Sequence, residues 1–194
     1  MHKAKVGDDR LPPGQRLLRD KNDFPILDLG VQPDFDPETY RFSVTGEVEK
    51  PIELTYEELK KLPRTQLTAD FHCVTKWSQY DIEWAGVKYL DLEKVVKPKP
   101  EANFVIQLGL DNYSTNVPIQ DLRQDNVIVA YELRGEPIPR EHGWPVRMII
   151  PNLYGWKGSK FLHRLYFKEK DDPGFWETRG YNNHGDPWKE ERYS

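Results

Sequence analysis

The chain has 194 residues, of which 37% are hydrophobic and 31% charged. This is enough apolar material for one domain with a packed core, and too much for a disordered protein. The formal net charge of −4 at pH 7 gives no general attraction to nucleic acid, and no run of about 18 apolar residues is present to span a membrane.

Cys73 is the only cysteine in the sequence, which excludes an intrachain disulfide and a cysteine-rich zinc site. Residues 1–19 are polar and lack the apolar core of a secretory signal. If the numbered chain is the whole product, we therefore expect it in the cytoplasm. An export signal removed from the chain would change that expectation.

Residues 1–21 are charged, contain proline and have no periodicity, so we interpret them as a polar arm or tail. Residues 22–194 are predicted to form the domain. Apolar residues alternate over 40–44, which predicts a strand with one buried face. A short helix is predicted over 54–63, because Thr55 is a suitable N-cap and Glu58 would complete a capping box.

The remaining elements are also short. Helices are predicted over 89–96 and 118–124, and strands over 65–71, 103–108, 127–133, 145–150 and 162–167. Strands and helices do not alternate regularly, which favours an α+β domain with mixed β-sheets and short helices over a doubly wound sheet.

Cys73 follows the strand predicted over 65–71 and begins a polar, aromatic loop. A lone cysteine is most often a small buried hydrophobic residue. A functional role requires a thiolate stabilised by positive charge or by a metal, and thiolates are soft metal ligands. A cysteine–histidine nucleophile is the alternative, since four histidines besides His72 are available as partners.

An apolar strand that carries Arg147 leads into a loop over 155–160 with two glycines, two lysines and Ser159. Glycines allow close approach of a ligand to the backbone, while the hydroxyl, amides and cations suit an anion such as phosphate. The spacing is not that of a P-loop. An exposed basic turn between two strands is the alternative interpretation.

The C-terminal segment 174–189 mixes aromatic residues, glycine and charge. We interpret most of it as a strap whose rings pack over the domain. His184 and Asp186 could also form a base and its orienting carboxylate.

Three ordered motifs support a more specific interpretation. They are Cys-Val-x-x-Trp-Ser at 73–78, Gly-Trp-Pro-Val-Arg at 143–147 followed by Tyr-Gly-Trp-Lys at 154–157, and Gly-x-Trp-Glu-x-Arg-Gly-Tyr at 174–181. Together they resemble the molybdopterin-binding domain of the sulfite oxidase family, over about residue 23 to the C-terminus. The bacterial branch that includes the catalytic subunit of methionine sulfoxide reductase is most similar.

This resemblance implies a molybdenum-dependent oxidoreductase of the same α+β fold. Cys73 would be the protein ligand of molybdenum, and the dithiolene of molybdopterin would supply two further sulfurs. His142 stands where the bacterial reductase has an asparagine. The positions that correspond to cofactor contacts in the family are Asn22, Thr115, His142, Arg147, Gly158, Ser159 and Lys160.

The chain also departs from the family pattern. Sulfite oxidases carry Cys-x-Gly-Asn-Arg at the ligand, whereas Val74-Thr75-Lys76-Trp77 follows Cys73 here. We therefore expect oxygen-atom transfer with a small S-oxide or N-oxide rather than sulfite, and electrons from a separate partner protein. The alternatives are a non-catalytic pterin- or anion-binding module of the same fold, and a cysteine–histidine hydrolase.

Overall fold

A computed structural model describes residues 10–20 and 23–194. Over these residues the chain is an α+β domain with two mixed sheets and short helices, as predicted. The strands are β1 (Arg16–Leu18), β2 (Phe42–Gly46), β3 (Ile52–Leu54), β4 (Arg64–Cys73), β5 (Trp77–Lys88), β6 (Phe104–Gly109), β7 (Ser114–Pro118), β8 (Ile128–Leu133), β9 (Glu136–Pro137), β10 (Arg147–Ile149) and β11 (Leu162–Lys168). The α-helices are α1 (Tyr56–Lys60), α2 (Tyr89–Val96) and α3 (Ile119–Leu122).

The first sheet is organised by β5. This strand pairs antiparallel with β4 along one edge, and with β8 antiparallel and β1 in parallel along the other. The sheet continues from β8 to β10, and the short β9 also pairs with β8. Cys73 therefore lies at the end of β4, beside the turn that leads into the central strand.

The prediction of a loop after Cys73 was wrong beyond its first residues. Only a tight turn separates β4 from β5, and Lys76 in that turn has a left-handed φ of 68°. The middle of the strand, residues 81–84, does alternate between exposed and buried side chains, and this signal was overlooked. Its start carried no such signal, because Trp77, Ser78 and Gln79 are consecutive and all buried. A strand buried on both faces shows no alternation of apolar and polar residues.

The second sheet has the order β3-β2-β11-β6-β7. The strands β2 and β11 are parallel, and the other neighbours are antiparallel. The strands predicted over 40–44, 103–108 and 162–167 all belong to this sheet. The strand β7 was not predicted, although it pairs with β6 over its whole length.

The helices follow their sequence signals closely. Thr55 caps α1 and forms a capping box with Glu58, as predicted. The helix α2 has the predicted bounds, and α3 is shorter than the predicted 118–124. No helix of the described residues is long and apolar enough to cross a membrane.

Two apolar clusters stabilise the domain. The larger contains residues of both sheets and all three helices, among them Phe42, Leu92 and Leu165. The smaller lies behind the end of β4 and includes Cys73 and Trp84. The second cluster thus packs around the side chain of Cys73.

Candidate functional site

A cavity of about 370 Å³ opens beside the end of β4. Its wall combines one thiol, two cations and several aromatic rings. The lining residues are Phe24, Pro25, Leu27, Asp28, Leu29, Phe71, Cys73, Val74, Thr75, Trp77, Asp111, Tyr113, His142, Arg147, Gly155, Trp156, Gly158, Lys160, Trp176 and Tyr181. A concave, mostly apolar pocket with a few polar groups is typical of a cofactor or substrate site.

Cys73 lies in the cavity wall with 7% of its surface exposed. Its Sγ is 3.1 Å from Oγ1 of Thr75, which can donate a hydrogen bond to a thiolate. Burial raises the pKa of the thiol, while the Thr75 hydrogen bonds and the charges of Arg192 and Lys160 lower it. The net pKa is raised, so the thiolate needs a further positive partner such as a metal.

Arg147 extends from β10 into the same wall and is 2% exposed. Its guanidinium donates to the carbonyl of His142 over 2.8 Å, and its Nε has no partner among the described residues. The rings of Phe71 and Trp84 each lie 5.4 Å from the guanidinium carbon. Burial lowers the pKa of Arg147 to about 10, because desolvation disfavours its charged form.

Lys160 is the second cation of the wall. Its Nζ donates to the carbonyls of Leu27 at 2.6 Å and Glu141 at 2.8 Å. Burial and the nearby charge of Arg147 lower its pKa to about 8. Two backbone carbonyls compensate an ammonium only in part, so both cations attract an anion into the cavity.

Gly155 and Gly158 belong to the loop that links these cations. A Cβ on Gly155 would lie 2.3 Å from the ring of Phe71, and one on Gly158 would lie 2.3 Å from the carbonyl oxygen of Met148. Both glycines are therefore required by close packing against the protein, and this packing keeps the loop against the cavity.

His142 also lines the cavity, with its ring 4.9 Å from that of Phe24. Its Nδ1 is buried and has no partner among the described residues. Burial and the charges of Arg147 and Lys160 lower its pKa to about 4, so the ring is neutral at pH 7. Neutral imidazole keeps one nitrogen as a donor and one as an acceptor for a bound molecule.

Two predicted cofactor contacts, Thr115 and Ser159, are placed outside the cavity lining. Both are fully buried, and their hydroxyls have protein acceptors. Thr115 donates to Oε1 of Glu177 at 2.7 Å, and Ser159 donates to the carbonyl of Lys160 at 2.9 Å. Their contact with a cofactor stays a prediction, as does that of Asn22, which lies outside the described residues.

Lys157 has a different environment from Lys160, although the sequence analysis placed both in one anion-binding loop. Its side chain is fully buried and forms an ion pair of 2.6 Å with Glu177. The side chain of Asn116 and the carbonyl of Asn183 accept further hydrogen bonds from its Nζ. The charge of Lys157 is thus compensated by groups of the protein itself.

The sequence analysis missed several residues of the cavity wall. Thr75, Trp176 and Tyr181 line the cavity, as does the irregular segment 24–29. Trp176 and Tyr181 stand in the motif at 174–181, which we interpreted as a packing strap. Their rings do pack on one another at 4.8 Å, so the strap itself forms part of the site.

The histidines do not support a cysteine–histidine pair in the described residues. His72 lies on the other face of β4, with Nδ1 2.8 Å from Oγ of Ser78. His184 contacts the carboxylates of Asp121 and Glu191 rather than Asp186. No histidine nitrogen of residues 10–20 and 23–194 is within hydrogen-bonding distance of the Cys73 sulfur.

Comparison with known proteins decides the family. A family model described as the oxidoreductase molybdopterin binding domain matches residues 29–176. The chain belongs to this family. It is a molybdopterin-dependent oxidoreductase, and its cofactor combines molybdenum with molybdopterin.

Three relatives illustrate the range of proteins to which the chain is similar. The chain is 38% identical to the uncharacterized oxidoreductase YuiH of Bacillus subtilis, over 95% of this chain and 92% of that protein. It is 27% identical to rat mitochondrial sulfite oxidase, over 77% of this chain and 33% of the relative. It is 26% identical to the methionine sulfoxide reductase catalytic subunit MsrP of Campylobacter jejuni, over 81% of this chain and 58% of that protein.

A solved structure is also similar. The sulfane dehydrogenase SoxCD from Paracoccus pantotrophus matches with a TM-score of 0.65 and 26% identity, over 72% of this chain and 40% of that one. This likeness supports the mixed-sheet α+β fold. The chain thus spans nearly the whole of the Bacillus relative but less than two thirds of the other proteins named here.

The cavity fits the family cofactor on its own chemistry. A thiol is a soft ligand that suits molybdenum–sulfur coordination. The two cations, Arg147 and Lys160, have no carboxylate ion-pair partner among the described residues and suit the phosphate of molybdopterin. The unpartnered Nε of Arg147 supplies a further donor.

Proposed function

We propose that the protein transfers an oxygen atom to or from a small substrate, with Cys73 as the protein ligand of molybdenum. One observation carries the proposal. The only thiol of the chain lines the same cavity as two cations, the buried Arg147 and the half-buried Lys160, which have no carboxylate ion-pair partner in the described residues. A metal–sulfur cofactor with an anionic tail requires these three groups together.

When bound, the cofactor would supply the two-electron redox chemistry of the Mo(VI)/Mo(IV) couple. The residues of the chain position it and set its surroundings. Cys73 provides one thiolate, and the Thr75 hydroxyl orients that sulfur by donating a hydrogen bond. Arg147 and Lys160 would bind the phosphate end, where both cations gain an ion-pair partner.

The aromatic wall limits access of water to the reacting atoms. Trp176 and Tyr181 close one side of the cavity, and Phe24 packs edge-on against Phe71 at 5.2 Å on another. Exclusion of water strengthens the electrostatic interactions of the two cations. Neutral His142 also lines this space, and its buried Nδ1 has no hydrogen-bond partner among the described residues.

Reduction of a small S-oxide or N-oxide is the direction we favour. A sulfite site needs a cation beside the metal, and sulfite oxidases carry an arginine shortly after the ligand. Here Val74 and Thr75 line the cavity instead, while Lys76 is exposed. An uncharged substrate suits this wall better than a dianion. Electrons would come from a separate partner protein, and a cytoplasmic location stays a prediction.

Metal analysis of Cys73→Ser tests the proposal. Protein from a molybdenum-replete host should contain about one molybdenum per chain. In the variant, metal content and turnover should each fall by roughly 100-fold or more, a larger loss than is usual for residues that contact a metal ligand rather than the metal. Thr65→Val, on the same strand and outside the cavity, is the matched control. Full turnover in metal-free protein would refute the proposal.

The same preparations distinguish the alternatives. A non-catalytic module would retain pterin and metal but show no turnover with reduced dyes and any S-oxide or N-oxide. A hydrolase would lose activity on alkylation of Cys73 and be indifferent to molybdenum starvation. The geometry argues against a cysteine–histidine hydrolase, because the hydrogen-bond partner of the Cys73 sulfur is Thr75 and not a histidine.

A further inference from the structure

Side chains from the first and the last described segments of the chain meet at the turn that carries Cys73. Nε2 of Gln15 donates to the carbonyl oxygen of Cys73 over 2.9 Å. The guanidinium of Arg192 donates to the carbonyl of Val74 over 2.7 Å, across 118 residues of sequence. Two consecutive carbonyls of the turn are thus held by side chains from opposite ends of the protein.

Backbone hydrogen bonds complete this arrangement. The amide of Arg16 donates to the carbonyl of Lys76 over 3.0 Å, and the amide of Lys76 donates to that of Cys73 over 3.1 Å. Lys76 has a left-handed φ of 68°, so the turn adopts a conformation that L-residues avoid without outside support. The N-terminal arm therefore supports the turn from one side.

Arg192 supports the turn from the other side and is itself fixed. Only 6% of its surface is exposed, and it also donates to the carbonyl of Pro13 over 3.3 Å. Its guanidinium lies 4.9 Å above the ring of Tyr154. Tyr154 stacks on Trp156 at 5.2 Å, and Trp156 lines the cavity. One side chain thus joins both ends of the chain to the cysteine turn and to the opposite cavity wall.

We propose that Arg192 and Gln15 are positioning residues that fix the direction of the Cys73 sulfur by holding the carbonyls of its turn. This inference rests on the proposed role of Cys73 as metal ligand. The held carbonyls belong to the two peptide units that directly follow the Cα of Cys73. Movement of the turn would therefore shift that Cα, and the sulfur with it. Contacts beyond the ligand commonly set ligand orientation in metal sites.

Arginine is suited to this role in a way that lysine is not. Its planar fork spans two carbonyls and stacks on a ring, whereas an ammonium acts as a single point charge. Arg192→Lys should therefore keep the hydrogen bond to the carbonyl of Val74 and lose the one to the carbonyl of Pro13. Arg192→Gln should lose both.

The test compares Arg192→Gln, Arg192→Lys and Gln15→Ala in the full chain as isolated. Arg179→Gln is the matched control, because Arg179 also lies in the C-terminal segment but donates to the carbonyl of Phe175 and not to the turn. Three quantities are measured: hydrogen exchange of the amides over 74–78, molybdenum per chain, and the absorption of the thiolate–molybdenum charge transfer. Thermal unfolding reports any general loss of structure.

We expect Arg192→Gln to speed exchange over 74–78 and to lower metal content, each by roughly tenfold, the size typical of contacts behind a metal ligand. The charge-transfer band should shift in the metal that remains, and Gln15→Ala should give a smaller change of the same kind. Arg192→Lys should lie between Arg192→Gln and the unaltered protein. The control should match the unaltered protein.

Unchanged exchange and an unchanged charge-transfer band in Arg192→Gln would overturn the inference. Failure of this inference can be distinguished from failure of the proposed function. If Cys73→Ser kept full metal and turnover, that proposal would fail while the exchange data still decided whether the turn is held. If exchange responds but the band does not, the side chains hold the turn without aiming the sulfur, which also overturns the inference.

Discussion

Two lysines of one loop, Lys157 and Lys160, have opposite surroundings. Lys157 is fully buried against the carboxylate of Glu177 at 2.6 Å. Among the described residues, Nζ of Lys160 donates only to backbone carbonyls, those of Leu27 and Glu141, although the carboxylates of Asp28 and Asp111 also line its cavity. The first charge is compensated within the protein, and the second is left for a ligand.

The comparison shows how the same residue type acquires different roles. A buried cation with its own carboxylate links two segments of the fold. A buried cation without one is unfavourable until an anion binds, so it marks a binding site. Arg147 resembles Lys160 in this respect, since burial lowers the pKa of both. Removal of a cation should therefore have opposite effects on stability at the two places.

Lys157→Met should give the largest effect on folding. It leaves the carboxylate of Glu177 buried without its cation, which costs about 3–5 kcal/mol of the free energy of unfolding. Urea unfolding of the cofactor-free protein measures this loss. Tryptophan fluorescence follows the transition, since the chain has six tryptophans and one of them, Trp176, adjoins Glu177 in sequence.

The double variant Lys157→Met, Glu177→Met sharpens this result. Removal of both charges restores most of the stability, because a buried pair is often no better than apolar residues of similar volume. If the single variant were as stable as the unaltered protein, the assignment of Lys157 to the fold would be wrong.

Arg147→Met should have little effect on stability and a large effect on cofactor binding. The cofactor-free protein should lose no stability, or gain some, because an uncompensated buried cation is replaced by an apolar chain of similar length. Affinity for the cofactor should fall by roughly 30-fold or more, as for loss of one partner of a buried charge pair. Unfolding curves and pterin retained on gel filtration measure the two effects. A strongly destabilised but fully loaded variant would contradict the comparison.

The fold was predicted best where local signals decide it. The capping box at Thr55 and the apolar periodicity of α2 gave the correct helices. The alternation over residues 81–84 of β5 was a usable signal that was overlooked, whereas the start of β5 could not be predicted, because its burial on both faces depends on neighbours that are distant in sequence. The roles of Lys157 and Lys160 could not be separated for the same reason. The carboxylate that compensates Lys157 lies 20 residues later, and nothing local shows that it folds back.

The pH dependence of stability should report the state of Lys160. Its pKa is lowered from 10.5 to about 8 in the folded cofactor-free protein, so folding disfavours its charged form. The stabilising effect of the neutral form is present above pH 10.5 and is lost as pH falls through about 8. Between these values, stability should rise with pH by ~1–2 kcal/mol from this group, part of which stays in contact with solvent.

Lys160→Met isolates this contribution from other groups that titrate in the same range. The difference in unfolding free energy between the variant and the unaltered protein should shrink as pH rises from 8 to 10.5. Bound cofactor should remove most of the slope, since an anion raises the pKa of the lysine again. A difference independent of pH would show that Lys160 is compensated already.

The smallest effect is expected at Thr75, whose hydroxyl lies beside the Cys73 sulfur in the same cavity as these cations. Thr75→Val keeps the shape of the side chain and removes the hydroxyl that lies 3.1 Å from the Cys73 sulfur. Loss of one hydrogen bond to a thiolate costs about 1 kcal/mol, or roughly a fivefold fall in metal retention. Molybdenum content after dialysis measures this loss. Thr75→Ser should retain metal like the unaltered protein, because it keeps the donor. Equal loss in both variants would mean that packing of the methyl group, rather than the hydrogen bond, holds the sulfur in place.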